Sequence, residues 1–406
     1  RAGLGVRDAV RAASTAAAVL LLLAAGRAGF VLAGGWNGAV LATALLASTF
    51  FFRSSSLAGH TDLLPVAFSL AGLAAWERDR EVRGWLLPIL AAAALLSKLT
   101  ALTLPAALVL RCLLDRRHSA LVRFAVRYAL VVAAGVAITA PVHGPEWYLD
   151  TVRTSLLAPP FTWDFVRGPA ELLRYLGSYS EFAVFVALTL VLVLQPAMRA
   201  TPLATFGAIS VIRAMGALAN KGSGHNHLDE LAGAVAIGAA MSWVQEPRRS
   251  AAWTTAALIL VVLAASWRET LPLLRHAPKP ESRRIELTEA LRAAGPSLFT
   301  EDAMMALAAG RRPVMADPTT LRSLELRGDS RARRTIARLR AGHYDLVVLA
   351  EDLDAAGSWY RDGFLGEPAV EAIRTAYRKV GMIAGAHFYR PISSGGDRGA
   401  SPSGRR

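Results

Sequence analysis

The residues best equipped for chemistry are crowded into one loop, Asn220 Lys221 Gly222 Ser223 Gly224 His225 Asn226 His227 Leu228 Asp229 Glu230. An amine, two imidazoles, two amides and two carboxylates stand there at the mouth of an apolar helix. Polar groups at that depth are costly in hydrocarbon and line a water-filled cavity or a site. Lys221 can hold an anion such as a phosphate as a point charge, with Asn226 orienting it; the alternative is a lysine snorkelling at a helix end. His225 and His227, with Asp229 and Glu230 adjoining, offer donors for a divalent cation, although two histidines on a short loop more often serve as hydrogen-bonding groups. Glu230 reads as a carboxylate that caps free backbone N–H groups at a helix start and orders the loop. Two further positions join this set. Asp62 opens an apolar segment after His60, as a site carboxylate or as one favoured by the helix dipole, and Lys98 lies between two short apolar segments that suggest a broken pair around a polar cavity.

The elements that must position these groups are apolar. Of 406 residues, 53 per cent are hydrophobic and the mean hydropathy is +0.36, which suits a polytopic membrane protein rather than a soluble one. Ten apolar segments are expected near 13–33, 38–52, 61–76, 84–97, 99–113, 121–142, 181–196, 203–219, 228–244 and 251–267. Arg78, Arg80 and Arg83, then Arg111, Arg116, Arg117, Arg123 and Arg127, then Arg199, then Arg248 and Arg249 fall on one side if the segments alternate. By the positive-inside rule that side is the cytoplasm, and residues 53–62, 143–180, 220–227 and everything after 267 face outward. The same count puts residue 1 outside, so an upstream helix and outer loop are expected before it. The net charge of +14 is thus a topological signal and no mark of nucleic-acid binding. The one cysteine, Cys112, excludes an internal disulfide.

Residues 143–180 carry Trp147, Tyr148, Phe161, Trp163, Phe165, Tyr175 and Tyr179 among prolines, as an amphipathic stretch at the outer interface or a lid over a substrate groove. After Pro272, Pro278 and Pro280 the pattern becomes that of a small α/β domain, 269–392. Ser297–Thr300 and Asp345–Leu349 read as buried strands, and 283–294, 319–340 and 367–379 as helices. Residues 393–406 read as a disordered Gly/Ser/Arg tail. The expected fold is therefore mainly α, a transmembrane helical bundle over 1–268 with a small C-terminal extracytoplasmic α/β domain.

Four patches in order resemble the bacterial C-type membrane glycosyltransferases, the class with protein O-mannosyltransferase-like and aminoarabinose-transferase-like members. His60 Thr61 Asp62 Leu63 Leu64 is similar to an Arg-Pro-Asp-Leu-Leu run, with His60-Thr61 in place of Arg-Pro. Leu95 Leu96 Ser97 Lys98 resembles a Leu-Leu-Ser-Lys junction. Gly222 Ser223 with Asn226 and Glu230 resembles a Gly-Ser-x-x-Asn-x-x-x-Glu loop. Thr300 Glu301 Asp302 with Gly310, Pro313, Asp317 and Pro318 is similar to a stretch of the outer domain. The family's first outer loop, which carries an acidic pair, has no counterpart in these residues. The resemblance implies transfer of a sugar from a polyprenyl-phosphate donor to a glycan, lipid or protein acceptor at the outer face of the bacterial inner membrane. Asp62 would be catalytic, and His60, Lys98, Lys221, Asn226 and Glu230 would bind substrate. A divalent metal ion at His225 and His227 is the one cofactor the residues suggest. A transporter or flippase for a lipid-linked sugar or anionic solute, or an inactive membrane scaffold, are the competing expectations. No P-loop, GxGxxG or nucleophile elbow occurs, so a soluble-type nucleotide site has no support.

Overall fold

The computed structural model describes residues 6–58, 62–143, 166–179, 182–184, 186–187, 189–190, 201–219, 225–244, 281–315, 318–355 and 359–392. Outside these lie His60, Thr61, Lys221, Gly222, Ser223, the expected segment 251–267, the aromatic residues between Trp147 and Phe165, and the tail from 393. The chain falls into two compact units, Arg1–His276 and Ala277–Arg406.

The first unit is helical. It begins with α1 (Val6–Gly29), a π-helical turn at Phe30–Gly34, and α2 (Gly35–Ser48). Gly34 and Gly35 take φ of +90° and +77°, a left-handed region open to glycine, and the chain reverses there. Helices α1 and α2 then pack antiparallel, with Thr43 Oγ1 donating to the Leu22 carbonyl at 3.3 Å. Gly29 and Gly38 face each other so closely that a methyl group on either would strike the other's carbonyl. Small residues serve this purpose in helix pairs without a water-driven force between them.

The expected segment 38–52 is broken at Thr49, whose backbone is extended (φ −70°, ψ 141°) and whose hydroxyl donates to the Leu46 carbonyl at 2.8 Å. A new helix, α3 (Phe50–Ala58), starts there. The segments expected at 61–76, 84–97, 99–113, 121–142, 203–219 and 228–244 each coincide with a helix: α4 (Leu63–Arg78), α5 (Leu86–Ser97), α6 (Thr103–Leu114), α7 (His118–His143), α9 (Pro202–Leu218) and α10 (Asp229–Val244). Between α7 and α9, α8 (Arg167–Ser178) is amphipathic; Tyr175 within it and Tyr179 just after it pack on Phe50 and Phe51, and Phe51 packs in turn on Phe182, with ring separations of 4.3 to 6.0 Å. Among the described residues, 11–48 and 118–141 are long and apolar enough to cross a membrane; the first of these is the folded-back α1–α2 pair.

Helix α10 packs on α2, α4 and α9, and every residue from Asp229 to Met241 is buried. A helix that is apolar on all sides belongs in a core. Its alanines and glycines permit the close approach, as where Gly233 meets Leu70 and Gly238 meets Thr189.

The second unit holds a four-stranded sheet in the order β1-β2-β4-β3: β1 (Leu298–Thr300) runs parallel to β2 (Leu346–Leu349), and β4 (Ala386–Pro391) is antiparallel to β2 and to β3 (Tyr377–Ile383). Side chains alternate across it. Leu298, Leu346, Val348 and Phe388 meet α11 (Glu281–Ala293) and α12 (Ala303–Ala308). Phe299, Val347, Leu349 and Tyr389 meet α13 (Pro318–Leu326), α14 (Ser330–Arg340) and α15 (Glu367–Ala376). Two expectations are corrected. The helix expected over 319–340 is two, because Gly328 (φ +66°) ends the first and the Asp329 carboxylate caps the second by accepting from Arg331 N–H at 2.7 Å. The helix expected over 367–379 stops at Ala376, and Tyr377–Pro391 forms a hairpin.

Candidate functional site

The start of α10 carries two consecutive carboxylates, Asp229 and Glu230, each 2 per cent exposed. Glu230 is gripped from three helices. Ser69 Oγ on α4 donates to Oε1 at 3.1 Å, Thr103 Oγ1 at the first turn of α6 donates to Oε2, and the Arg213 guanidinium on α9 lies 2.8 Å from Oε2. Arg213 also donates to the His227 carbonyl at 3.2 Å, tying the 3₁₀ turn His225–Leu228 to the helix that follows it. The expected role of Glu230 as a cap for backbone N–H groups is thus corrected: its carboxylate is spent on side chains of neighbouring helices. The physical reason is Arg213, since a half-buried cation on an apolar helix needs a counter-charge more than a helix start needs a cap.

Asp229 accepts from Ser55 Oγ on α3 at 2.9 Å, while its other oxygen, Oδ1, has no hydrogen-bond partner among the described residues. The charges acting on it are those of Asp62, Lys98 and Arg213, so both ion pairs of this region bear on one point. Asp62, at the residue before α4, makes no side-chain hydrogen bond to the backbone of that helix. Its Oδ1 lies 2.6 Å from Lys98 Nζ, and the two side chains are 13 and 28 per cent exposed. Lys98 reaches it because α5 ends at Ser97 and the chain turns there, with Ala101 N–H donating to the Lys98 carbonyl at 2.8 Å.

Of the residues singled out from the sequence, the structure therefore gathers Asp62, Lys98 and Glu230, with His227 contributing its backbone carbonyl. His60 and Lys221 lie outside the described residues, as do the side chains of His225 and Asn226. Among the described residues no group of three histidine, cysteine, aspartate or glutamate side chains is placed to hold a metal ion. Sequence reasoning missed Arg213, Ser55, Ser69 and Thr103. An arginine inside Val211-Ile212-Arg213-Ala214-Met215 is itself a signal, since an ionisable group within an apolar segment marks a site or a partner. Ser55, Ser69 and Thr103 carry no such signal, because small hydroxyl residues are common in apolar helices.

Three carboxylates, Asp62, Asp229 and Glu230, stand beside the two cations Lys98 and Arg213. Such a cluster accepts hydrogen bonds from hydroxyl groups and can take up a proton.

The architecture is a bundle of apolar helices with a buried polar cluster, together with a small sheet. It is similar in fold to the solved structure of ArnT from Cupriavidus metallidurans bound to undecaprenyl phosphate, at a TM-score of 0.59 over 97 per cent of this chain and 85 per cent of that one. The two sequences are 12 per cent identical, so the likeness is one of fold. No family model matches the chain, and neither does any curated protein.

Proposed function

We propose that the chain is an integral-membrane glycosyltransferase of the bacterial inner membrane, moving a sugar from a polyprenyl-phosphate carrier to an acceptor at the outer face. The observation that carries this reading is the pairing of that fold, solved in ArnT with a polyprenyl phosphate bound, with a buried polar cluster around the start of α10. Residues 269–392 form its extracytoplasmic domain.

Asp62 is the reacting carboxylate in this reading. It accepts the proton of the acceptor hydroxyl as the new glycosidic bond forms and the phosphate leaves with the old one. Lys98, 2.6 Å away, is the counter-charge of Asp62 until substrate binds. Lys221 and Asn226, from the loop before α10, hold the departing phosphate, and His60 is a further substrate-binding residue. Glu230 and Arg213 fix the helix start from which that loop springs.

The test uses the full chain in lipid nanodiscs with radiolabelled polyprenyl-phosphate hexoses and pentoses. Lys221→Ala should weaken donor binding about tenfold or more, and Asp62→Asn should slow turnover about a hundredfold while donor still binds. If none of these donors is bound or consumed, the glycosyltransferase reading is abandoned.

A further inference from the structure

The α1–α2 hairpin carries an open groove of about 810 Å³ that the transferase reading does not use. Small residues, Gly26, Ala39, Thr43 and Ala44, lie buried or half-buried along its seam, and Leu23 and Val40, 65 and 64 per cent exposed, stand on its sides. The Thr43 hydroxyl is already spent on the Leu22 carbonyl, so the seam presents hydrocarbon. From Trp36 to Ala47, both of which line the groove, α2 rises about 16 Å. That is the depth of one leaflet, about 15 Å of a hydrocarbon layer of about 30 Å.

One end of the groove differs from the rest. Arg27, exposed in the last turn of α1, is the one charged residue among those lining it. Its guanidinium lies over the Phe30 ring, 5.7 Å from the centroid, and has no ion pair among the described residues. Trp36, 78 per cent exposed, stands edge-on to the same ring at 5.4 Å. Tryptophan and arginine at a helix end mark the level of the lipid headgroups. The arginine count that puts residues 53–62 outside puts the turn at Gly34 and Gly35 at the cytoplasmic face, so the groove runs from that face into the inner leaflet.

We propose that this groove binds one anionic phospholipid of the cytoplasmic leaflet, its phosphate on Arg27 and one acyl chain along the seam between Leu23 and Val40. A guanidinium donates to phosphate oxygens through two parallel N–H groups, and the lipid brings that phosphate to the level where Arg27 stands. A soluble anion would gain nothing from the apolar length beyond Arg27. A helix crossing the whole bilayer would meet the groove along only half its length. A second copy docking by the same face would bring its own Arg27 to the same depth, a like charge with no carboxylate in either groove to offset it. The inference rests on the membrane placement and goes beyond the transferase reading, because this lipid lies in the leaflet opposite the proposed donor and is not consumed.

The experiment takes the full chain from nanodiscs of equal parts phosphatidylglycerol and phosphatidylcholine and counts the retained lipids by native mass spectrometry. The expected result is one phosphatidylglycerol retained in preference to phosphatidylcholine. Arg27→Gln, at an exposed position that does not threaten the fold, should cut that preference about fivefold, the effect of one basic residue at a membrane surface. Ala44→Phe, which fills the seam, should lower retention of both lipids. Equal retention of the two lipids by the unaltered chain overturns the proposal, as does a preference that Arg27→Gln leaves intact or retention that Ala44→Phe leaves unchanged. Displacement of phosphatidylglycerol by added polyprenyl phosphate would give the groove to the donor and also overturn it. A Val40→Cys variant in vesicles of the same two lipids tests a second copy as occupant, since Cys112 is buried and the introduced thiol is the accessible one. Disulfide-linked dimers would reassign the groove to an interface between copies; monomers agree with the lipid. Sugar transfer is not read here, so failure of either hypothesis leaves the other standing.

Discussion

At the scale of single residues, the Glu230–Arg213 pair governs the membrane unit. Glu230 accepts from two hydroxyls and an arginine in an almost dry setting, so Glu230→Ala leaves Arg213 without its counter-charge. Breaking a buried pair from one side costs about 3–5 kcal/mol, whereas replacing both partners with apolar side chains of similar size is often near neutral. Thermal unfolding in detergent should show Glu230→Ala strongly destabilised and the double variant Glu230→Met/Arg213→Met largely restored. A double variant no more stable than the single one would show that the hydroxyl contacts, not the ion pair, dominate. In the other unit, burial first, then the neighbouring carboxylates of Asp302 and Glu351, push the Glu301 carboxyl above the usual glutamate range. A raised acid binds protons better folded than unfolded, so its contribution is present at acid pH and lost as pH rises through the folded value. Asp352, held low by its hydrogen bond from Lys379, acts oppositely and loses its contribution as pH falls. Glu301→Gln should therefore gain stability relative to the unaltered chain as pH is raised from about 5 to 8, read as the difference in melting temperature.

At the scale of elements, the α1–α2 pair depends on two glycines. Gly29→Val or Gly38→Val inserts a branched side chain against a backbone carbonyl, and overpacking of this kind costs at least about 1–3 kcal/mol. Gly207, with open space where its side chain would be, should accept alanine without loss, which provides the control in the same unfolding measurement. The same elements show what the sequence disclosed. Helices α9 and α10 were legible because Thr201-Pro202 and Asp229-Glu230 punctuate long apolar runs, and β1 and β2 because short apolar runs lie between polar turns. The break at Thr49 was not, since threonine ends no helix by its own propensity. The β3–β4 hairpin was missed because Ala384-Gly385, with φ of +53° and +79°, makes a turn that Asn-Gly would ordinarily announce. Asp62, Lys98 and Glu230 were recognisable by type, but their partners come from as far as 161 residues away in sequence, and no local pattern encodes such pairings.

At the scale of the whole molecule, the two units have separate apolar cores, one of alanine-rich helices and the other of sheet-facing side chains. Calorimetry should resolve two transitions, with Glu230→Ala moving one and Glu301→Gln the other. A single transition shifted by both substitutions would show that the cores melt as one.

Helices α5 and α6 have a consequence for the surrounding lipid. Each has 12 residues, about 18 Å of rise, against a hydrocarbon layer of about 30 Å. On the proposed membrane reading, helices this short leave the turn bearing Lys98 below the outer interface. Annular lipids must dip to follow it, so the bilayer beside this pair is a dimple, and a headgroup sliding along that slope is brought down towards the level of Lys98 without leaving its own leaflet.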